Sequence, residues 1–197
     1  MGKKESSLLK LIISLTLITC VAAVALSVVY MVTKKPIEQS QQSNKNNAIT
    51  KVLPDFKGDI KTQKVLLEGD KDSVTVYVAY QNGKFYGAAV ETYTDKAYSG
   101  TFSIMVGFDA KGNIVETEVI QANETPGLGD KIDKAKSDFP LQFKGKNPGK
   151  FNLKVKKDGG EVDAITAATI SSRAFCDAIQ RAYNSFLTIK ENKNEQN

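Results

Sequence analysis

The first pattern along the chain is an unbroken apolar run. Leu11 to Val32, LIISLTLITCVAAVALSVVYMV, carries no charged residue, while Lys3, Lys4 and Lys10 precede it and Lys34 and Lys35 follow. A helix of about 22 residues at roughly 1.5 Å each spans about 33 Å, enough for a hydrocarbon core of about 30 Å. A buried core helix would show a polar face, and this run shows none. A cleaved signal peptide would hold about 7–15 apolar residues before a small-x-small site; here the run continues past Ala22 and Ala23 through LSVVYMV. Residues 1–10 therefore read as a short basic N-terminus and 11–33 as a retained transmembrane anchor.

Polar positions then take over. KKPIEQSQQSNKNN has no apolar periodicity, so residues 34–47 are expected to form a flexible linker. Alternation begins at SVTVYVAY, which puts Val74, Val76, Val78 and Tyr80 on one face. Asn82-Gly83 is a hairpin signal, and KFYGAAVETYT is the returning strand. GTFSIMVGFDAKGNIVETEVI reads as a second hairpin turning at Asp109 to Asn113. Helical spacing follows at Lys131 to Asp138 and Ile170 to Leu187, the latter with Ile170, Ala174, Ala178, Ala182 and Phe186 on one stripe. The pattern predicts an α+β domain over 48–189: an antiparallel sheet with segregated helices, preceded by one transmembrane helix. KENKNEQN, residues 190–197, reads as a disordered tail.

Composition changes this picture mainly by exclusion. The 197 residues include no histidine and two cysteines, Cys20 in the anchor run and Cys176 in the last helix. Histidine-dependent triads, zinc sites, haem attachment and iron–sulfur ligation thus lack their ligands, and no metal site is expected. Any electron handling requires a borrowed organic cofactor. The net charge of +5 is too mild to argue nucleic-acid binding without an aromatic-interleaved basic stripe. Lysines from Lys144 to Lys157 cluster; they read first as a solvated face, and second as a surface for anionic headgroups or a phosphate.

Two segments carry chemistry. In NETPGLGDKI, Pro126 presets one turn torsion, Gly127 can adopt the positive φ of a type II turn, and Gly129 permits close approach to the backbone. The glycine spacing matches neither a dinucleotide fingerprint nor a P-loop. In DAITAATISS, Thr169 falls at the mouth of the last helix, where free N–H groups and the dipole favour an anion. A simple cap needs one hydroxyl. Thr166, Thr169, Ser171 and Ser172, spaced by Ala167 and Ala168, supply four.

VDAITAATISSRAF resembles the flavinylation motif of the FMN-binding domains found in the G subunit of the Rnf complex and the C subunit of the sodium-pumping NADH:quinone reductase. ETPGLGDKI, YSGTFSIMVGFDAKGNIVE and FKGK are also similar to that family in wording and order. The resemblance implies covalent FMN, joined to Thr169 by a phosphoester through the action of a separate flavin transferase that uses FAD and Mg²⁺. Asp163, Thr166 and Ala168 are the other matched motif positions, and Glu124, Thr125, Leu128 and Gly129 are expected around the flavin. Lys156 or Lys157 is the candidate to neutralise its phosphate or the reduced flavin.

The implied partners are the other subunits of a complex that passes electrons between ferredoxin and NAD⁺ and moves sodium ions or protons. The implied location is the cell membrane, with the folded domain on the extracytoplasmic side; basic residues are too evenly balanced across the anchor to orient it. Ala167 stands where the family usually has Gly, and Asn123 near where it often has His. Rival readings are a membrane-tethered binding module without cofactor and a flavin protein of another respiratory complex.

Overall fold

The computed structural model describes residues 8–67 and 72–194, and side chains as far as Glu191. The chain divides into two compact units, the first ending at Ser43 and the second beginning at Asn44.

Helix α1 spans Leu8–Val52. In the first unit every described residue is exposed, and α1 contains an 18-residue window of mean hydropathy 2.6, long and apolar enough to cross a membrane. Two threonine hydroxyls there bond internally: Thr19 Oγ1 donates to the Thr16 carbonyl at 2.9 Å and Thr33 Oγ1 to that of Val29 at 2.8 Å. Hydrocarbon demands such internal satisfaction. The expected flexible linker, 34–47, is instead helical throughout, with Pro36 inside the helix. Extending an existing helix avoids the cost of nucleation, and Glu, Gln and Lys are good helix formers.

The second unit is a five-stranded antiparallel meander in the order β1-β2-β3-β4-β5. Its strands are β1 Asp59–Val65, β2 Val74–Gln81, β3 Lys84–Ala97, β4 Gly100–Asp109 and β5 Ile114–Gln121. Both expected hairpins form. Asn82 and Gly83 take φ of 53° and 72°, the paired positive torsions of a type I′ turn. At the second turn Asp109 Oδ1 accepts the N–H groups of Lys111 and Asn113 at 2.8 and 2.9 Å. Strand β1 has no counterpart in the sequence reading, because six of its seven residues are exposed and it shows no alternation. Backbone pairing with β2 places it at the edge.

Helix α2, Thr169–Asn194, covers one face of the sheet. Ala174, Ala178, Ala182 and Phe186 are buried as the stripe predicts, but Ile170 is 46% exposed. Phe175 joins Phe102, Phe139 and Phe143 in a ring cluster with centroids 5.3–6.4 Å apart. The helix also continues through residues 190–194, where a disordered tail was expected; the last three residues lie outside the described ones. The opposite face of the sheet is covered by the last turns of α1. Ala48 and Val52 pack there with Leu53, Ala79, Ala89 and Met105. Gly107 permits this, since a Cβ would lie 2.0 Å from the Val52 carbonyl oxygen.

The short helix expected over 131–138 does not form. Two 3-10 turns, Gly129–Ile132 and Phe139–Phe143, occupy the region. Local side chains take the backbone groups between them: the Ala135 N–H donates to Asp133 Oδ1 at 2.8 Å, and Ser137 Oγ to the Lys131 carbonyl at 2.6 Å. This is how short polar residues compete with a helix.

Candidate functional site

The segment after β5 folds as its Pro-Gly pair dictates. Gly127 has φ of 76°, and the Leu128 N–H donates to the Thr125 carbonyl at 3.1 Å, closing a tight turn. That turn carries Glu124, Thr125, Leu128 and Gly129 against the start of α2, where Ala167, Ala168 and Thr169 stand. Together with Tyr98, Ile170 and Ser171 they surround a cavity of about 460 Å³. Its volume falls in the usual range for small-molecule sites, about 300–1,000 Å³.

The four hydroxyls of DAITAATISS have separate fates. Ser172 is a latch: its Oγ donates to the Ala168 carbonyl at 3.0 Å and accepts the Ile165 N–H at 2.9 Å. Ser171 Oγ donates to Glu124 Oε2 at 2.8 Å. Thr166 is exposed and lines a different groove. The Thr166 and Thr169 hydroxyls are both uncommitted among the described residues, and of the two only Thr169, half-buried, stands on the cavity wall. Helix geometry also leaves the N–H groups of Thr169, Ile170 and Ser171 without intrahelical acceptors, whereas the Ser172 N–H is taken by Ala168.

The approach to this corner depends on small residues. Ala167 has φ of 62°, a left-handed torsion that costs an L-residue roughly 1–2 kcal/mol. The family's usual glycine at this position fits the torsion, which glycine adopts without strain. At Gly129 a Cβ would lie 2.1 Å from Glu124 Oε2 and 2.6 Å from Ser171 Oγ.

Of the residues singled out from sequence, Glu124, Thr125, Leu128, Gly129, Ala168 and Thr169 meet at one cavity. Asp163 and Thr166 do not join them. They lie in a groove with Gln142, whose Oε1 accepts the Asp163 N–H at 2.8 Å. Lys156 pairs with Asp163 at 2.7 Å, and neither it nor Lys157 lines the cavity. Lys144 is likewise engaged, 3.3 Å from Glu116. Tyr98 and Ile170 were missed. Ile170 was assigned to the core stripe, and Tyr98 reaches the site only because the β3–β4 turn ends beside it. Cys176 is no rival nucleophile: burial pushes its thiol up to about 12, which keeps it protonated and inert.

A free hydroxyl and open amides at a helix mouth, facing an apolar rim, suit a planar cofactor bearing a phosphate. Residues 97–184 match the family model described as FMN-binding domain. Over nearly the full chain, similarity extends to the G subunit of the ion-translocating oxidoreductase complex of Aliivibrio fischeri, 35% identical across 95% of this chain and 92% of that protein. The corresponding protein of Shewanella loihica is 36% identical across 93% and 88%, and that of Vibrio vulnificus 32% across 91% and 89%. The chain belongs to the family formed by the G subunits of ion-translocating oxidoreductase complexes.

Proposed function

We propose that the chain is the FMN-carrying electron-transfer subunit of a membrane-bound, ion-translocating oxidoreductase of the ferredoxin:NAD type. α1 anchors it in the cell membrane with the folded unit on the extracytoplasmic side. The observation that carries the reading is the meeting of an uncommitted Thr169 hydroxyl with the Glu124–Gly129 turn at one cavity.

In this reading FMN is joined to Thr169 by a phosphoester. The phosphate is held by the open N–H groups and dipole of the first turn of α2. Leu128, Ile170 and Tyr98, all partly exposed at the rim, offer apolar surface to the ring system. Bound there, FMN supplies redox chemistry that no side chain of this protein provides. A threonine hydroxyl is a weak nucleophile, and the chain has no histidine to activate it. A separate flavin transferase therefore makes the bond from FAD: the Thr169 oxygen takes the FMN phosphoryl group, the pyrophosphate bond breaks, AMP leaves and the hydroxyl proton is lost, with Asp163 and Thr166 read from the outer side of the turn. Electron donors and acceptors reside on the other subunits of the complex. Tethering keeps the flavin at high effective concentration outside the membrane.

The test is intact mass spectrometry of the full chain co-expressed with a flavin transferase. Wild type should gain the mass of one FMN less one water and show flavin fluorescence in a denaturing gel. Thr169→Ala should gain neither. An unmodified wild type, beside an active control, would sink the reading.

A further inference from the structure

Glu124 stands apart from the other acidic side chains of the folded unit. Glu91, Glu116, Asp130, Asp158 and Asp177 each pair with a lysine or arginine. Among the described residues Glu124 is the one acidic side chain that is buried, at 7% exposure, and it has no cationic partner there. Its oxygens are nevertheless both engaged. Oε1 accepts the Ser99 N–H at 3.3 Å, and Oε2 accepts the Ser171 hydroxyl at 2.8 Å. Acceptance at both oxygens suits an ionised side chain, and the nearby N-terminus of α2 favours negative charge.

The two donors come from different cavity walls. Ser99 follows Tyr98 at the β3–β4 turn, and Ser171 lies in the first turn of α2. Glu124 itself stands at the head of the Pro-Gly turn, and Gly129 leaves the space its Oε2 occupies. The carboxylate is thus fixed in position and lines the cavity.

We propose that Glu124 is a built-in negative charge that lowers the midpoint potential of the FMN held in this cavity; the inference rests on the function proposed above. Reduction adds negative charge to the cavity. A buried carboxylate without a counter-cation opposes it, because charges interact several-fold more strongly in protein than in water. Replacement by glutamine keeps the size and removes the charge.

The experiment is a dithionite titration of the full chain in detergent, after co-expression with a flavin transferase. Midpoints are read by absorbance on the flavin-loaded fraction of wild type, Glu124→Asp and Glu124→Gln. The aspartate variant should stay near wild type. The glutamine variant should become easier to reduce by at least tenfold in the equilibrium constant, about 59 mV for a one-electron couple. Equal midpoints in wild type and Glu124→Gln overturn the inference and leave the flavin reading standing; a flavin-free wild type overturns both. Should Glu124→Gln load no flavin, Ser171→Ala decides. Stripping one donor from the carboxylate should make reduction harder than in wild type, and an equal or easier reduction overturns the inference.

Discussion

At the scale of single residues, the site rests on torsions and hydroxyl assignments. Ala167 at φ 62° is strained. Glycine there relieves roughly 1–2 kcal/mol of left-handed cost but loses about 0.5–1 kcal/mol in unfolded-state entropy. Ala167→Gly should therefore stabilise the fold by about 0.5–1 kcal/mol in chemical denaturation. A lower denaturation midpoint would show that the methyl group packs usefully. Sequence pattern located the hydroxyl-rich corner but could not apportion its hydroxyls. That division depends on contacts such as Ser171 with Glu124, 47 residues away, and on the Ser172 latch. Pro126-Gly127, by contrast, declared its own geometry, because Pro and Gly act through local torsions.

At the scale of elements, what was legible followed from periodicity. Strands β2 to β5 and helix α2 announce themselves by apolar period and turn signals, although β3 and β4 bury both faces where the last turns of α1 cover the sheet. β1 and the two 3-10 turns went unseen because backbone pairing and local polar competition shape them without any apolar period. The linker was misread for a related reason: its helix is propagated from its neighbours rather than encoded by an apolar stripe. The end of that helix is sensitive to one glycine. With the Val52 carbonyl oxygen 2.0 Å from any Cβ at Gly107, Gly107→Ala must push the last turn of α1 off the sheet. A loss of about 1–3 kcal/mol is expected. Hydrogen exchange at residues 48–52 should quicken; unchanged protection there would mean the sheet yields instead.

At the scale of the whole molecule, one tyrosine of the second unit, half-buried beside the Lys45–Glu91 pair, gives it a response to alkaline pH. Tyr77 is pushed up to about 12, first by burial and then by the nearby Glu91 carboxylate. Its folded pKa lies above the unfolded value of about 10. The corresponding stability is complete below pH 10 and is lost as pH rises through 12. Denaturation midpoints should fall between pH 10 and 12, and less so in Tyr77→Phe; identical profiles would place the alkaline transition elsewhere.

The meander has a consequence for how such a chain is made. Each strand pairs with the one synthesised just before it, so the sheet can assemble in the order in which it emerges. One wall of the cavity, though, belongs to helix α2, Thr169–Asn194, which follows all five strands. Until that stretch docks, Thr169 has no partner wall and the pocket has no bottom. If the proposed covalent loading holds, it follows the docking of α2, and a product stalled before that helix offers a loading enzyme nothing to finish.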